Sequence, residues 1–379
     1  MQVKKKILFF SPYYHPYISG MTTYPALLLS ELSKQFEIKV LTFKHQPDLL
    51  NHENINGADV IRMPYWFKLS KGFISLQANI YFVKYLKACD VLLINLPSVE
   101  SFSLALIAKL MGKKIIGIYH CKLHLDANWY WQVIGWIVNK VVNLAITLCD
   151  KIVFYTQDYY QSLDLHLSQK AEFYLPPVPK VDVDSEYFHH LLNTKGNEIW
   201  IGYAGRVSNE KGLEYLVEAC ALLHNKQKVR LVLAGPYGEK VAGEAGYYHL
   251  IKSQLTKYQL PHTFFGTLRG GKLGAFYQAI NLLVLPSINQ TEAFGMVQIE
   301  AMMLGTPVVV SNLPGVRVPV NMTGMGRVVE PRNASALFDS IRKVLKVNTK
   351  ISDKTESFFQ EFLVNNAAGR YVKIINQIL

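Results

Sequence analysis

The stretch LLVLPSINQTEAFGMVQIEAMMLGTPVVV, residues 282–310, decides the fold. It opens on an apolar run, Leu282–Leu285, that meets Pro286 and Ser287, and it closes on a second run, Val308–Val310. Short apolar runs bounded by turn residues predict buried strands, and the longer segment between them predicts a strand–loop–helix–strand unit. Such units build parallel sheets with helices on both faces.

Two carboxylates lie inside this unit, Glu292 in the loop and Glu300 two helical turns further on. Ligands of open α/β sheets bind beyond the carboxyl ends of the strands. A helix that begins at Phe294 and Gly295 directs free N–H groups to that place, and a glycine lets a phosphate approach the backbone. Each carboxylate alone is equally well explained as a solvated helix residue. Together with the Gly305–Pro307 turn, they indicate a site for a phosphorylated, many-hydroxyl ligand.

The same alternation of apolar runs and amphipathic segments continues along the chain and predicts two βα series in tandem. The predicted strands of the first series are Lys6–Phe10, Glu37–Thr42, Val60–Met63, Val91–Leu96, Lys114–Tyr119 and Lys151–Tyr155. Those of the second are Ile199–Ala204, Arg230–Ala234, Thr263–Phe265, Leu282–Leu285, Val308–Val310 and Gly326–Val329. The segment after Ile351 is predicted to be wholly helical.

The proline-rich segment Leu175–Pro179 separates the two series, because prolines fix φ and remove backbone donors. We therefore predict an α/β protein of two Rossmann-like domains, residues 1–177 and 178–355. A C-terminal helix, 356–379, is expected to return to the first domain. A length of 379 residues fits two domains of ordinary size.

Composition narrows the function further. Half of the residues are hydrophobic and 18% are charged, which excludes a disordered chain. The net charge of +12 favours an anionic partner: a nucleic acid, an anionic membrane or a phosphorylated substrate. The chain has no helix-turn-helix, zinc-finger or RNP signature, so we expect no nucleic acid. Four scattered cysteines and a short apolar start that ends at Pro12 indicate a reducing, cytoplasmic setting without a signal peptide.

Three further features lie where predicted strands end. Gly205-Arg206, followed by Lys211-Gly212, supplies a bidentate cation and a compact one beside glycines, although a basic surface turn explains the loop equally well. Ser19-Gly20-Met21 precedes a predicted helix and lacks the dinucleotide G-x-G-x-x-G fingerprint, which counts against a dehydrogenase. His120 follows a buried strand, where it is either a ligand contact or a packed polar residue.

These motifs, in this order, resemble those of family 4 retaining glycosyltransferases, which have the GT-B fold of two Rossmann-like domains facing across a cleft. The likeness covers nearly the whole chain. The run from Glu292 through Ala293, Phe294 and Gly295 to Glu300 resembles the family's E-x7-E motif. The Gly205–Gly212 loop is similar to its diphosphate-binding loop, and Ser19–Met21 is similar to its N-terminal glycine turn.

The resemblance implies residue roles and a reaction. Arg206 and Lys211 would neutralise the leaving diphosphate, and Gly20 would make room for the phosphates. Glu300 would bind the ribose, Glu292 with the N–H groups of Phe294 and Gly295 would hold the sugar and a phosphate, and His120 would contact the sugar. The chain would transfer a sugar from a nucleotide-diphosphate donor to an acceptor hydroxyl with retention, by front-face attack. A nucleotide-sugar epimerase, a sugar phosphorylase and a non-catalytic sugar-nucleotide-binding protein remain alternatives.

The sequence departs from the family pattern at two positions, and its Asp-x-Asp motif lies outside the predicted site. Ser19 stands where the family has a second glycine, and Lys122 stands near His120 where an Asp is usual. Both departures lie in the N-terminal half, so they concern the acceptor side and leave the implied donor binding intact. The only Asp-x-Asp, Asp182 and Asp184, lies beside the proline segment and is read as linker polarity. We therefore expect no metal and no cofactor, with Arg and Lys supplying the positive charge.

The segment Trp129–Leu148 bears on the acceptor. No run of it is long enough without polar interruption to predict a membrane span. Asn128, Gln132, Asn139 and Asn143 would form one narrow polar stripe and leave a wide apolar face. The helix is then either an ordinary core helix or an interfacial helix. In the second case the enzyme would lie peripherally on the inner face of an anionic membrane and act on a glycan or lipid-linked acceptor.

Overall fold

The computed structural model describes residues 4–17, 19–69, 72–75, 77–124, 129–167, 169–241, 244–346 and 353–379. Within it the chain forms two units. The first comprises Met1–Pro177 and Glu361–Leu379, and the second comprises Val178–Gln360. The predicted Asn128 of the polar stripe lies outside the described residues.

The first unit is built on an eight-stranded sheet with the order β10-β9-β8-β7-β1-β2-β4-β3 and a separate β5–β6 hairpin. All pairings in the large sheet are parallel except β3 with β4. Its strands are β1 Lys6–Phe10, β2 Glu37–Phe43, β3 His52–Ile55, β4 Ala58–Met63, β5 Phe67–Leu69, β6 Gly72–Ile74, β7 Val91–Leu96, β8 Lys114–Tyr119, β9 Lys151–Phe154 and β10 Ala171–Phe173. Its helices before the proline segment are α1 Gly20–Leu32, α2 Ala78–Lys87, α3 Ser101–Leu110, α4 Trp129–Leu148 and α5 Gln157–Gln161.

The second unit is built on a six-stranded sheet, all parallel, with the order β13-β12-β11-β14-β15-β16. Its strands are β11 Ile199–Ala204, β12 Val229–Ala234, β13 His262–Gly266, β14 Leu282–Leu285, β15 Val308–Ser311 and β16 Gly326–Val329. Its helices are α6 Ser185–Lys195, α7 Leu213–His224, α8 Ala245–Lys257, α9 Gly271–Ala279, α10 Met296–Met303, α11 Arg317–Thr323, α12 Ala334–Val344 and α13 Asp353–Gln360.

Burial explains why these runs are strands. Every residue of β7, β14 and β15 is buried, because helices cover both faces of a parallel sheet and leave no polar side. In each sheet the chain reverses its direction of growth once, between β1 and β7 in the first and between β11 and β14 in the second. Crevices at such switch points are where ligands of doubly wound sheets bind.

The last helix, α14 Val364–Ile378, belongs to the first unit. Tyr371 of α14 and Tyr24 of α1 are fully buried and their hydroxyls form a hydrogen bond. The prediction of one continuous C-terminal helix is wrong. α13 ends at Gln360, and Leu363 has an extended backbone with ψ of 136°, so a turn separates α13 from α14. The return to the first unit accordingly begins at Glu361 instead of 356.

Candidate active site

The candidate donor site lies at the switch point of the second sheet. The loop after β11 carries Arg206 and Lys211, and the loop after β14 carries Glu292. The two loops are joined by a backbone hydrogen bond of 3.0 Å from the N–H of Ile288 to the carbonyl of Glu210. The structure therefore brings together two motifs that are more than seventy residues apart in sequence.

Glycines allow this approach. Gly212 has φ of +61°, and a Cβ there would lie 2.5 Å from the carbonyl oxygen of Pro286. Gly205 has φ of +148°. Gly235 has φ of +141°, and a Cβ on Gly235 would lie 1.9 Å from the carbonyl oxygen of Gly205. L-residues rarely adopt these backbone conformations, so the glycines are required for both the turns and the packing of the loops.

Lys211 and Glu292 form an ion pair across the two loops. Their side chains are 16% and 15% exposed, so the pair is largely screened from water. The buried Ser287 donates a second, longer hydrogen bond of 3.4 Å to the same Glu292 oxygen. Ser287 was not predicted as a site residue, although its place directly after β14 is the signal that could have found it.

Arg206 is paired within its own loop. Its guanidinium donates to Glu210 at 3.0 Å, and 36% of the Arg206 side chain is exposed. Burial acts to raise the pKa of Glu210, but the charges of Arg206 and Lys211 outweigh burial and lower that pKa. Glu210 is therefore an ionised counter-charge between the two cations, and sequence analysis did not single it out.

The helix after Glu292 begins later than predicted. Gly295 is the N-cap of α10, with φ of +75°, and the first helical residue is Met296. Ala293 and Phe294 are 4% and 2% exposed and pack into the core. The N–H groups of the first helical turn have no carbonyl partner within the helix. They therefore start at Met296, one residue after the predicted start at Phe294 and Gly295. Gly295 cannot be replaced freely, because a Cβ there would lie 2.4 Å from Leu285.

Glu300 lies on α10 and accepts a hydrogen bond of 2.6 Å from the hydroxyl of Tyr277 on α9. Burial raises the pKa of Glu300, and the Tyr277 bond offsets this in part. Among the contacts between described residues, none joins Glu300 to Lys211 or Glu292. Tyr277 is 23 residues away in sequence, so no local pattern could have identified it as the partner.

In the first unit, Gly20 is exposed and is the first residue of α1. The helix thus begins at the predicted glycine turn, two residues earlier than expected. Ser19 is the N-cap of α1, and its N–H donates to the Thr22 hydroxyl at 2.9 Å. This placement leaves the glycine turn open to solvent.

His120 is held by hydrogen bonds inside the first unit. It is 4% exposed, and its two ring nitrogens are hydrogen-bonded to the Tyr155 hydroxyl and the Asn95 amide oxygen. Burial lowers the pKa of His120 to about 3, so the imidazole is neutral. The Asn95 amide nitrogen in turn donates to the Met21 carbonyl at 2.9 Å, at the start of α1. His120 is thus a packed polar residue in this structure, and its contact with a sugar stays a prediction.

The Asp-x-Asp pair has ordinary structural roles. Asp184 is the N-cap of α6 and accepts a 2.9 Å hydrogen bond from the N–H of Tyr187. The Asp182 side chain is 77% exposed and lies 3.9 Å from the Lys180 ammonium. Across the described ranges, no three His, Cys, Asp or Glu side chains come together as a metal site requires.

α4 is more exposed than a core helix. Only Gly135, Val142, Ala145 and Ile146 are buried, whereas Trp129 and Trp136 are 77% and 62% exposed. Asn139 of the predicted polar stripe faces the protein, where its amide bonds both the N–H and the carbonyl of Leu123. The core-helix interpretation is therefore wrong. Of the described helices, α4 alone has the length and composition to cross a membrane, judged by those two criteria only.

Comparisons with known proteins agree with this architecture. Residues 185–358 match the family model described as glycosyl transferases group 1. An uncharacterized glycosyltransferase of Methanocaldococcus jannaschii is 29% identical over 185 residues, which cover 48% of this chain and 42% of that protein. The lipopolysaccharide 1,2-N-acetylglucosaminetransferase of Salmonella typhimurium is 28% identical over 48% of this chain and 49% of that protein. The chain thus spans less than half of each of these relatives.

Solved structures match over nearly the whole chain. Sucrose-phosphate synthase from Thermosynechococcus elongatus superposes with a TM-score of 0.80 at 20% identity, over 99% of both chains. Anabaena HepE, in complex with UDP and glucose, superposes with a TM-score of 0.78 at 18% identity, over 98% of this chain and 99% of that one. The match to the group 1 glycosyl transferases thus covers residues 185–358 of the second unit, and the two Rossmann-like units have the GT-B fold of these structural neighbours.

Proposed function

We propose that this protein is a retaining glycosyltransferase that moves a sugar from a nucleotide-diphosphate sugar to an acceptor hydroxyl. The observation that carries the proposal is the Lys211–Glu292 pair, held with Arg206 at the switch point of the second sheet. A cation and a carboxylate side by side suit a ligand with a diphosphate at one end and hydroxyls at the other. Structural neighbours that contain UDP or UDP-glucose support the same donor class.

In the proposed step the bond between the sugar C1 and the diphosphate oxygen breaks, and C1 bonds to the acceptor oxygen. The acceptor proton passes to the departing diphosphate, on the same face of the sugar. Negative charge develops on the leaving oxygen, and preorganised cations stabilise it where water is excluded. Lys211 and Arg206 supply this charge in the proposal, and Glu292 orients the sugar hydroxyls.

The proposal includes no metal and no cofactor. Two cations in one short loop can balance a diphosphate, and Asp182 and Asp184 are accounted for by an exposed ion pair and a helix cap. Nucleotide binding should therefore be unchanged by a chelator.

We further propose that the acceptor is a glycan or a lipid-linked glycan and that the protein works peripherally at the inner, cytoplasmic face of an anionic membrane. The exposed apolar residues of α4 support this, because a contiguous apolar face marks an interaction surface. Lys140 lies on the same helix with its ammonium 5.6 Å from the Trp136 ring, the arrangement of an interfacial helix. Net charge of +12 favours an anionic bilayer over a neutral one.

The first test is a thermal-shift panel of nucleoside diphosphates and nucleotide sugars, with and without EDTA, followed by acceptor-independent hydrolysis of the best binder. We expect one nucleotide sugar to stabilise the protein and to be hydrolysed slowly with release of the nucleoside diphosphate. Lys211→Met should abolish both effects, whereas Lys226→Met, in the turn after α7, should not. An epimerase would isomerise the donor, a phosphorylase would need phosphate, and a binding protein would leave the donor intact.

The second test is flotation with anionic and neutral liposomes at low salt. We expect binding to anionic vesicles, and a large loss of binding in Trp129→Glu/Trp136→Glu. Leu250→Glu, a 47% exposed apolar residue of the second unit, is the matched control. Absence of wild-type flotation at low salt would refute the membrane proposal without touching the transferase one.

A further inference from the structure

The first unit carries an aromatic cluster that the proposed donor site does not use. Its members, which we call the tyrosine cluster, lie at the carboxyl edge of the first sheet or on the hairpin beside it. Tyr13 and Tyr17 follow β1, His45 follows β2, Tyr65 follows β4, and Phe73 lies on β6. Because the carboxyl ends of parallel strands share one edge, residues far apart in sequence meet there.

The rings of the tyrosine cluster contact one another, and the cluster remains partly exposed to solvent. The Tyr13 ring centroid lies 4.5 Å from that of Tyr17, 4.8 Å from Phe73 and 5.7 Å from His45. The Tyr65 ring is tilted by 57° against the Phe73 ring, with centroids 4.7 Å apart. Phe73 is buried, whereas the three tyrosines and His45 remain partly exposed. The cluster therefore offers aromatic surface to solvent on a fixed base.

Three polar atoms in this cluster and in the loop after β7 are buried without a hydrogen-bond partner among the described residues, and the first of them is Nδ1 of His45. The Ser98 hydroxyl, in a residue 5% exposed, and Oε1 of Glu100 are both buried without a hydrogen-bond partner in the described part of the chain. Both residues lie in the loop between β7 and α3, at the switch point of the first sheet. β1 and β7 are neighbours in the first sheet, so the loop that carries Ser98 and Glu100 lies at the same edge as Tyr13, and the charge of Glu100 is the last of the contributions that raise the pKa of Tyr13, after burial and the neighbouring tyrosines.

Buried polar atoms are almost always hydrogen-bonded, and each exception calls for an explanation. An unpartnered carboxylate oxygen destabilises the fold unless a ligand satisfies it. Burial raises the pKa of Glu100 to about 7, with a small opposing effect of its own backbone N–H. Near neutral pH the carboxyl group is thus present both as an acceptor and as a donor, which matches the two hydrogen-bonding roles of a sugar hydroxyl.

We propose that Glu100, Ser98 and the tyrosine cluster bind a sugar ring of the acceptor. The inference rests on the proposed transferase function and deepens it, because it names the acceptor's recognised end as a glycosyl residue. The Lys68 ammonium lies 5.4 Å from the Tyr13 ring centroid, so the cluster has a cation on one side and the Glu100 carboxylate on the other, which suits a neutral polar ligand better than a phosphate. An alkyl chain would leave the unpartnered atoms of Ser98 and Glu100 unsatisfied. A sugar ring satisfies both, since its C–H face packs on tyrosine rings and its hydroxyls reach the polar atoms.

The test uses the full chain and a panel of methyl glycosides of glucose, galactose, mannose and N-acetylglucosamine, followed by saturation-transfer NMR. We expect at least one glycoside to receive saturation from the wild type, and Tyr13→Leu and Glu100→Gln each to weaken its binding about tenfold or more. Matched controls are Tyr85→Leu, another half-buried tyrosine, and Glu37→Gln, at the opposite edge of the sheet. Both should bind as the wild type does.

Two further readouts keep the outcomes separable. Glu100→Gln should raise the melting temperature at pH 8, and this result also shows that the variant folds. A lower melting temperature would mean that the carboxylate has a structural partner, which would contradict the inference. All four variants should bind the nucleoside diphosphate selected by the donor panel as the wild type does. Failure of wild-type glycoside binding, or equal binding by Tyr13→Leu and Glu100→Gln, would overturn this inference alone. Failure of wild-type nucleotide binding would instead overturn the proposed function.

Discussion

Glu292→Gln is the substitution that most directly tests the donor site. In the structure Glu292 holds the Lys211 ammonium, and both side chains are about five-sixths buried, at 15% and 16% exposure. A diphosphate that binds Lys211 must compete with this carboxylate. We therefore expect Glu292→Gln to bind the free nucleoside diphosphate more tightly than the wild type, and to transfer sugar more slowly.

The size of the effect follows from the pair. Two unit charges 4 Å apart attract by about 4 kcal/mol at the effective dielectric of about 20 that suits partly buried groups. Desolvation and the ordering of two long side chains offset much of this, which leaves about 1–2 kcal/mol net. Release of that competition should tighten nucleoside diphosphate binding about 5- to 30-fold. Transfer should fall on the order of 10²-fold, because the sugar loses a positioning contact.

The assay is titration calorimetry with the nucleoside diphosphate, beside steady-state transfer rates. Lys211→Met should move the affinity in the opposite direction, and the double variant should be more stable than Lys211→Met alone, because it leaves no unpaired carboxylate. Equal or weaker diphosphate binding by Glu292→Gln would show that the carboxylate does not compete for Lys211, and the proposed exchange of partners would be refuted.

Three further outcomes are expected. The pKa of Glu100 is raised from 4.5 to about 7 in the folded state, so the stability it contributes is full below pH 4.5 and is lost as pH rises through 7; Glu100→Gln should stabilise by about 3 kcal/mol at pH 8 and by nothing at pH 4, measured by urea unfolding. Gly212→Ala should cost at least about 2 kcal/mol in the same assay and weaken nucleotide binding, because its Cβ would meet the Pro286 carbonyl; unchanged unfolding would contradict the loop packing. Since burial lowers the pKa of His120 to about 3, His120→Gln should leave the shape of the pH–rate profile between 5 and 8 unchanged, whereas a lost limb would restore its catalytic role.

Strand prediction succeeded where burial is complete on both faces. The run Leu282–Leu285 was predicted with its observed bounds, because helices cover both sides of that strand and select a continuous apolar run. β3, His52–Ile55, and β10, Ala171–Phe173, were missed. Both are edge strands, and no residue of either is buried, so their sequences carry no apolar signal. α6 was missed for the same reason, with only Leu191 buried.

The sequence predicted which loops meet at the edge of the second sheet, but it did not predict which side chains in them form pairs. Sequence order places Arg206, Lys211 and Glu292 after strands, and parallel topology then brings their loops to one edge. Which carboxylate meets which cation depends on side-chain packing, so the Lys211–Glu292 pairing could not be predicted. The position of His120 at the end of a strand was predicted correctly. Its hydrogen bonds to Asn95 and Tyr155, which come from the ends of neighbouring strands, could not be predicted from the sequence.

The two candidate sites differ in how their charged groups are paired. In the second unit, Arg206 and Lys211 each already hold a carboxylate, so a diphosphate exchanges one anion for another and orders few side chains. In the first unit, Glu100 and Ser98 have buried atoms without partners, and a ligand there would supply hydrogen bonds that the fold lacks. Removal of Glu100 should therefore improve stability and impair acceptor use together. Removal of Lys211 should impair both stability and donor use, because it leaves Glu292 unpaired. Substitutions at the proposed acceptor site and at the proposed donor site should therefore change the stability with opposite signs.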